Sequence, residues 1–104
     1  MIAISIDFNL RQSNKEIHQT MDYLSSLIGT EIYYSVEYKK TNNQPHIHGI
    51  AEANQNTVKQ LLSLYISNNW YINTVHDANG WLNYITKENK QINTTHDKNR
   101  KYEA

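Results

Sequence analysis

Residues 31–53, EIYYSVEYKKTNNQPHIHGIAEA, decide the fold. Ile32, Tyr34, Val36 and Tyr38 alternate with Tyr33, Ser35, Glu37 and Lys39. Period-two alternation of β-branched and aromatic residues predicts a half-buried strand over residues 31–40. Thr41-Asn42-Asn43-Gln44 is a polar turn, and Pro45 stands at the start of the next strand, where a proline is tolerated. Residues 46–53, HIHGIAEA, form that strand, and so short a loop joins the two as an antiparallel hairpin.

Working outward, Ile2, Ile4, Ile6 and Phe8 alternate with Ala3, Ser5, Asp7 and Asn9, which predicts a first strand. Ser13-Asn14-Lys15-Glu16 has the capping-box pattern. Ile17, Met21, Leu24, Leu27 and Ile28 follow as a helical stripe, and Gly29 stops it. Downstream of the hairpin, Val58, Leu61, Leu62 and Tyr65 mark a helix over 57–67, and residues 70–76 (WYINTVH) a fourth strand. Asp77 is placed to cap a third helix over about 78–90. The expected class is α+β: an antiparallel sheet with split βαβ (ferredoxin- or RRM-like) topology, in the order β-α-β-β-α-β-α. Residues 1–90 would form the domain, and 91–104 a polar C-terminal tail or a short edge strand near 91–95.

A chain of 104 residues holds one core. With 10 Lys+Arg against 10 Asp+Glu the net charge is zero, which counts against a purely electrostatic nucleic-acid binder. Absence of cysteine excludes a disulfide framework, a Cys-ligated zinc finger and a thiol nucleophile. Eight tyrosines against one phenylalanine suit half-buried sheet faces and stacking surfaces. No apolar run approaches the roughly 20 residues needed to cross a membrane, and the alternating start of the chain is not a signal peptide.

Pro45-His46-Ile47-His48-Gly49 carries the chemistry. Residues two apart on a strand share a face, so His46 and His48 present their imidazoles side by side while Ile47 turns away. If Lys40 and Pro45 close the hairpin, Glu37 lies opposite His48 and points to the same side. Two imidazoles and a carboxylate suit a transition metal with open coordination positions. The histidine pair alone would be equally at home on any surface, and it is the carboxylate of matching parity that favours a metal site.

Trp81-Leu82-Asn83-Tyr84-Ile85-Thr86-Lys87 is the second segment of interest. On a helix Tyr84 and Lys87 are neighbours at i,i+3, while Leu82 and Ile85 supply the packing stripe. A cation beside a phenol favours the phenolate, and tyrosine can act as a covalent nucleophile. Taken alone, Tyr84 is equally one amphipathic tyrosine among eight. His18, His76 and His96 read as solvated or capping histidines.

Together these motifs resemble the HUH endonucleases, in particular the single-tyrosine replication initiators (Rep proteins) of small circular-DNA viruses, phages and plasmids. His46-Ile47-His48, with proline before and glycine after, is similar to the family's metal motif; Glu37 corresponds to its acidic third ligand, and Tyr84 with Lys87 to its nucleophile motif. Phe8-Asn9-Leu10 corresponds weakly to an N-terminal family motif. The resemblance implies a divalent metal, Mn²⁺ or Mg²⁺, on Glu37, His46 and His48. It implies nicking and joining of single-stranded DNA by Tyr84 through a 5′-phosphotyrosine, starting rolling-circle replication. The implied partners are an origin hairpin or nick site and a helicase and polymerase from elsewhere; the second transfer would fall either to a second protomer, in a homodimer, or to reuse of the same Tyr84. No membrane partner is implied, and the location is the cytoplasm, that of the host if the source is viral. Lys39, Lys40 and Lys90 would contact DNA, as would the basic residues near the C-terminus, with Tyr33, Tyr71 or Trp70 stacking on bases. Related chemistry in a transposase or mobilisation relaxase, a non-enzymatic RRM-like module and a metal-binding accessory protein are the alternatives.

Overall fold

A computed structural model describes residues 1–66, 69–77, 79, 80, 83 and 92–97. The period-two segments become strands and the 3.6-period segments helices, in the order β1 (Ile2–Asp7), α1 (Asn14–Ile28), β2 (Tyr33–Tyr38), β3 (Pro45–Ala51), α2 (Gln55–Tyr65), β4 (Trp70–Thr74) and β5 (Asn93–Thr94). The five strands form one sheet, ordered β4-β1-β3-β2-β5, with every neighbouring pair antiparallel. The class is therefore α+β, compatible with a ferredoxin-like arrangement.

One face of the sheet encloses the core together with α1 and α2. Ile4 and Ile6 from β1, Ile47 from β3, Tyr34 from β2, Ile17 and Leu24 from α1, and Leu62 from α2 are all buried there. Helix α1 begins as its capping box requires: Glu16 N–H donates to Ser13 Oγ (3.1 Å) and Ser13 N–H to Glu16 Oε1 (3.1 Å). Those bonds hold the Glu16 carboxyl below the usual carboxylate range. It ends at Gly29, whose φ of +83° is left-handed and whose N–H donates to the Ser25 carbonyl.

The β2–β3 hairpin departs from the expected register. Glu37 faces His46, not His48, and Tyr38 faces Pro45, where Lys40 was expected. The turn explains the shift. Lys39 N–H donates to Gln44 O (2.9 Å) and Asn43 N–H to Lys39 O (2.7 Å), with Asn43 in left-handed backbone at φ +60°. Asparagine tolerates that conformation, so the loop closes on Lys39 and Gln44. The two-residue shift preserves parity, and Glu37 stays on the face of the histidines.

Proline and glycine in β3 each have a local cause. Pro45 O accepts from Phe8 N–H (2.8 Å), but a proline has no N–H to return to the Phe8 carbonyl; Gln44 Nε2 supplies that donor instead (3.0 Å). At Gly49 a Cβ would come within 3.0 Å of Tyr33 O and Tyr34 Cβ, so the close approach of β2 leaves room for glycine.

His18 is a correction: it is buried, with Nδ1 hydrogen-bonded to the equally buried Tyr34 hydroxyl. It follows Ile17 on the inner edge of the helix, where the tyrosine tip needs a polar partner. His76 and His96 are exposed; His96, at φ +59°, donates its N–H to Asp22 Oδ1 (2.8 Å). The stretch around Thr95 is not a free tail. Thr95 is buried, its N–H donates to Ile32 O (3.1 Å), its Oγ1 accepts from Ile32 N–H (3.0 Å), and its hydroxyl donates to Ser25 Oγ (2.9 Å). Asp77 Oδ1 accepts from Gly80 N–H (2.9 Å), and residues 79, 80 and 83 are helical. Among the described residues no helix is long and apolar enough to cross a membrane.

Candidate metal centre

Strands β2 and β3 lie beside each other inside the sheet, with β1 on the far side of β3. Alternation sends Ile47 into the core and turns His46 and His48 to the opposite face, where Glu37 arrives from β2. Three donor atoms converge there. His46 Nε2 is 3.0 Å from Glu37 Oε2 and 3.0 Å from His48 Nε2, and His48 Nε2 is 3.3 Å from Glu37 Oε2. All three residues are half-buried, and the two rings meet edge-on, their planes at 87°.

These separations suit a cation at the centre. Neighbouring ligands on an octahedral ion with bonds of about 2.1 Å sit about 3.0 Å apart, and on a tetrahedral ion about 3.4 Å. Protons satisfy such a triangle less well: one imidazole N–H serves one edge, whereas a cation serves all three atoms. Two neutral imidazoles with one carboxylate suit a first-row divalent metal, and three protein donors leave further positions open for water or substrate.

The strand next door supports one of the histidines. Ser5 on β1 pairs with His48, and its Oγ lies 3.2 Å from His48 Nδ1. With Nε2 given to a metal, Nδ1 carries the proton and the serine oxygen accepts it, which fixes the ring. Asp7, two residues on, pairs with His46 and holds Lys39 Nζ at 3.0 Å. Sequence reasoning missed Ser5 and Asp7 as members of the site. Their signal was the alternation of β1, which puts both on the side away from Ile4 and Ile6; its meaning depended on knowing that β1 lies next to β3.

The remaining expected residues are dispersed. Lys39 is engaged with Asp7 at the rim of the cluster, and Lys40 lies in the exposed turn. Tyr71, on β4, pairs with Ser5 and is exposed on the face of the histidines; Tyr33 is exposed on the same face and donates its hydroxyl to Glu31 Oε2 (3.0 Å). That bond raises the Tyr33 phenol above its ordinary value, because Glu31 stabilises the protonated form. Trp70 instead packs against the core. Phe8 is buried in the core, while Asn9 and Leu10 are exposed in the turn that follows β1. Tyr84, Lys87 and Lys90 lie outside the described residues, as do Lys98, Arg100 and Lys101. Ala3 of β1 and Gly80 line one pocket, together with Asn73 and Asp77. No protein-family model, curated protein or solved structure matches the chain.

Proposed function

We propose that the protein is a metal-dependent DNA endonuclease of the HUH kind, nicking and joining single-stranded DNA at chosen sites through Tyr84 to initiate rolling-circle replication. The observation that carries this reading is the convergence of Glu37 Oε2, His46 Nε2 and His48 Nε2 to within 3.0–3.3 Å on one face of the sheet. The strand order β4-β1-β3-β2 supports the finer reading of the fold as a split βαβ arrangement, with β1 and β3 at its centre. An RRM-like binding module would present aromatic residues at that centre; His46 and His48 occupy β3 instead, and the exposed tyrosines flank them.

A Mn²⁺ or Mg²⁺ held by Glu37, His46 and His48 would supply Lewis-acid stabilisation of charge on the scissile phosphate. Tyr84 attacks the phosphorus in line; the bond to the 3′ oxygen breaks, and its proton balance is met by the phenol. The products are a 5′-phosphotyrosine and a free 3′-OH, which primes synthesis or later attacks the adduct to rejoin the strand. Transesterification conserves the number of phosphodiester bonds, so the step needs no nucleotide triphosphate. Lys87 stabilises the phenolate or the phosphate as a point charge. Tyr33 and Tyr71 offer stacking surfaces on either side of the histidines.

The test is a denaturing gel after incubation with labelled single-stranded DNA from a randomised pool and Mn²⁺. A metal-dependent covalent band supports the reading. His46→Ala and Tyr84→Phe should each abolish it, and an adduct that persists in Tyr84→Phe removes Tyr84 as the nucleophile.

A further inference from the structure

Resting on the reading of Glu37, His46 and His48 as metal ligands, we propose that Asp7 is the positioning residue for His46, accepting a hydrogen bond from its Nδ1–H as Ser5 Oγ accepts one from His48.

Three observations lead here. His46 Nε2 faces Glu37 and His48, so a metal held there would take Nε2 and leave the proton of the neutral imidazole on Nδ1. That Nδ1 is buried and has no hydrogen-bond partner among the described residues. A buried donor without an acceptor is destabilising, and that cost falls on the state that needs Nδ1 protonated, which is the metal-bound one.

The register names the acceptor. Phe8 N–H donates to Pro45 O, which makes Phe8 and Pro45 a hydrogen-bonded pair of the β1–β3 ladder. Alternation then makes Asp7–His46 and Ser5–His48 non-hydrogen-bonded pairs, the type whose side chains lie closest. Ser5 already stands at His48 Nδ1. Asp7 occupies the equivalent register position beside His46. Its Oδ2 is held by Lys39 Nζ at 3.0 Å, the one hydrogen-bonding contact of its side chain among the described residues. A carboxylate has about four lone-pair positions, so Oδ1 can take the imidazole N–H while Oδ2 keeps the lysine. One carboxylate can thus bridge Lys39 and His46, and a carboxylate–histidine–metal relay runs across two strands.

Mn²⁺ titration of the purified protein, by calorimetry with the metal alone, reads the effect without nuclease activity. Asp7→Ala should weaken binding by about 10- to 100-fold, the usual cost of losing such an outer partner. Asp7→Asn keeps an acceptor oxygen and should recover most of the loss. Lys39→Met should stay within about threefold of the wild type, and the double variant Asp7→Ala/Lys39→Met should be as weak as Asp7→Ala. In the Zn²⁺-loaded wild type, ¹⁵N NMR should show a slowly exchanging His46 Nδ1–H signal that survives Lys39→Met. Wild-type affinity in Asp7→Ala, in the double variant, or equal loss in Asp7→Asn and Asp7→Ala would each overturn the proposal while leaving the metal site standing. A wild-type protein that takes up no Mn²⁺ would overturn the metal site and this inference together.

Discussion

The two faces of β3 follow the same alternation and serve opposite ends. Ile47, Gly49 and Ala51 face α1 and α2, where shape decides everything: Ile47 is wholly buried and Gly49 leaves space for β2. His46 and His48 face the other way, where chemistry decides: their nitrogens meet a carboxylate and a hydroxyl from the strands on either side. One face holds the fold together and the other spends some of that rigidity on holding polar groups at contact distance. A strand buried on one side is well suited to this, because a one-residue slip would send the histidines into the core and Ile47 to the opposite face.

This contrast can be broken from either side. Ile47→Ala should cost about 2–5 kcal/mol of stability, as buried isoleucine truncations do, read as a fall in denaturation midpoint. His46→Ala, one residue away, should cost less than half as much and abolish Mn²⁺ binding. If both variants lose stability equally, the faces are not divided as described. Tyr34→Phe comes next. It removes the hydroxyl that His18 Nδ1 meets in the core, and should cost about 1–3 kcal/mol, with Mn²⁺ affinity unchanged. Gly49→Ala should cost about 1–3 kcal/mol through overpacking against Tyr34; because Gly49 lies between His48 and Ile50 in β3, metal affinity in this variant also reports how far a push from the core side reaches the histidines.

The smallest effect lies far from both faces, at the start of α1. Ser13→Ala should cost about 1 kcal/mol as a lost N-cap. Its partner Glu16 carries a pH signature. Hydrogen bonds with Ser13 hold its carboxyl in the folded protein below the ordinary glutamate range of the unfolded chain. A depressed folded value means stability that is present above that range and lost as the pH falls through the folded value. The stability gap between wild type and Glu16→Ala should therefore be constant near neutrality and close on acidification; a gap that widens in acid would contradict the capping box.

Much of this molecule was legible in its sequence because period and capping are local. The alternation of Ile2–Phe8, the stripe from Ile17 to Ile28 and the Ser13–Glu16 box each specify their own element without help from the rest. The convergence of Glu37 with two histidines was legible by parity alone, which survived an error of two residues in register. The register itself was not, since it depends on Asn43 adopting left-handed backbone, which asparagine allows but does not compel. His18 was misread because a histidine beside a helical stripe looks solvated until Tyr34 is seen to arrive from another element. Ser5 and Asp7 were invisible for the same reason, as their role exists only once β1 lies next to β3.

The central claim is that Glu37, His46 and His48 together hold one divalent ion, and calorimetric titration with Mn²⁺ tests it most directly. The account predicts a single site in the wild type, lost in Glu37→Gln, His46→Ala and His48→Ala while their circular dichroism stays that of the folded protein. Binding that persists unchanged in any of these folded variants, or a wild type that takes up no metal, would contradict it.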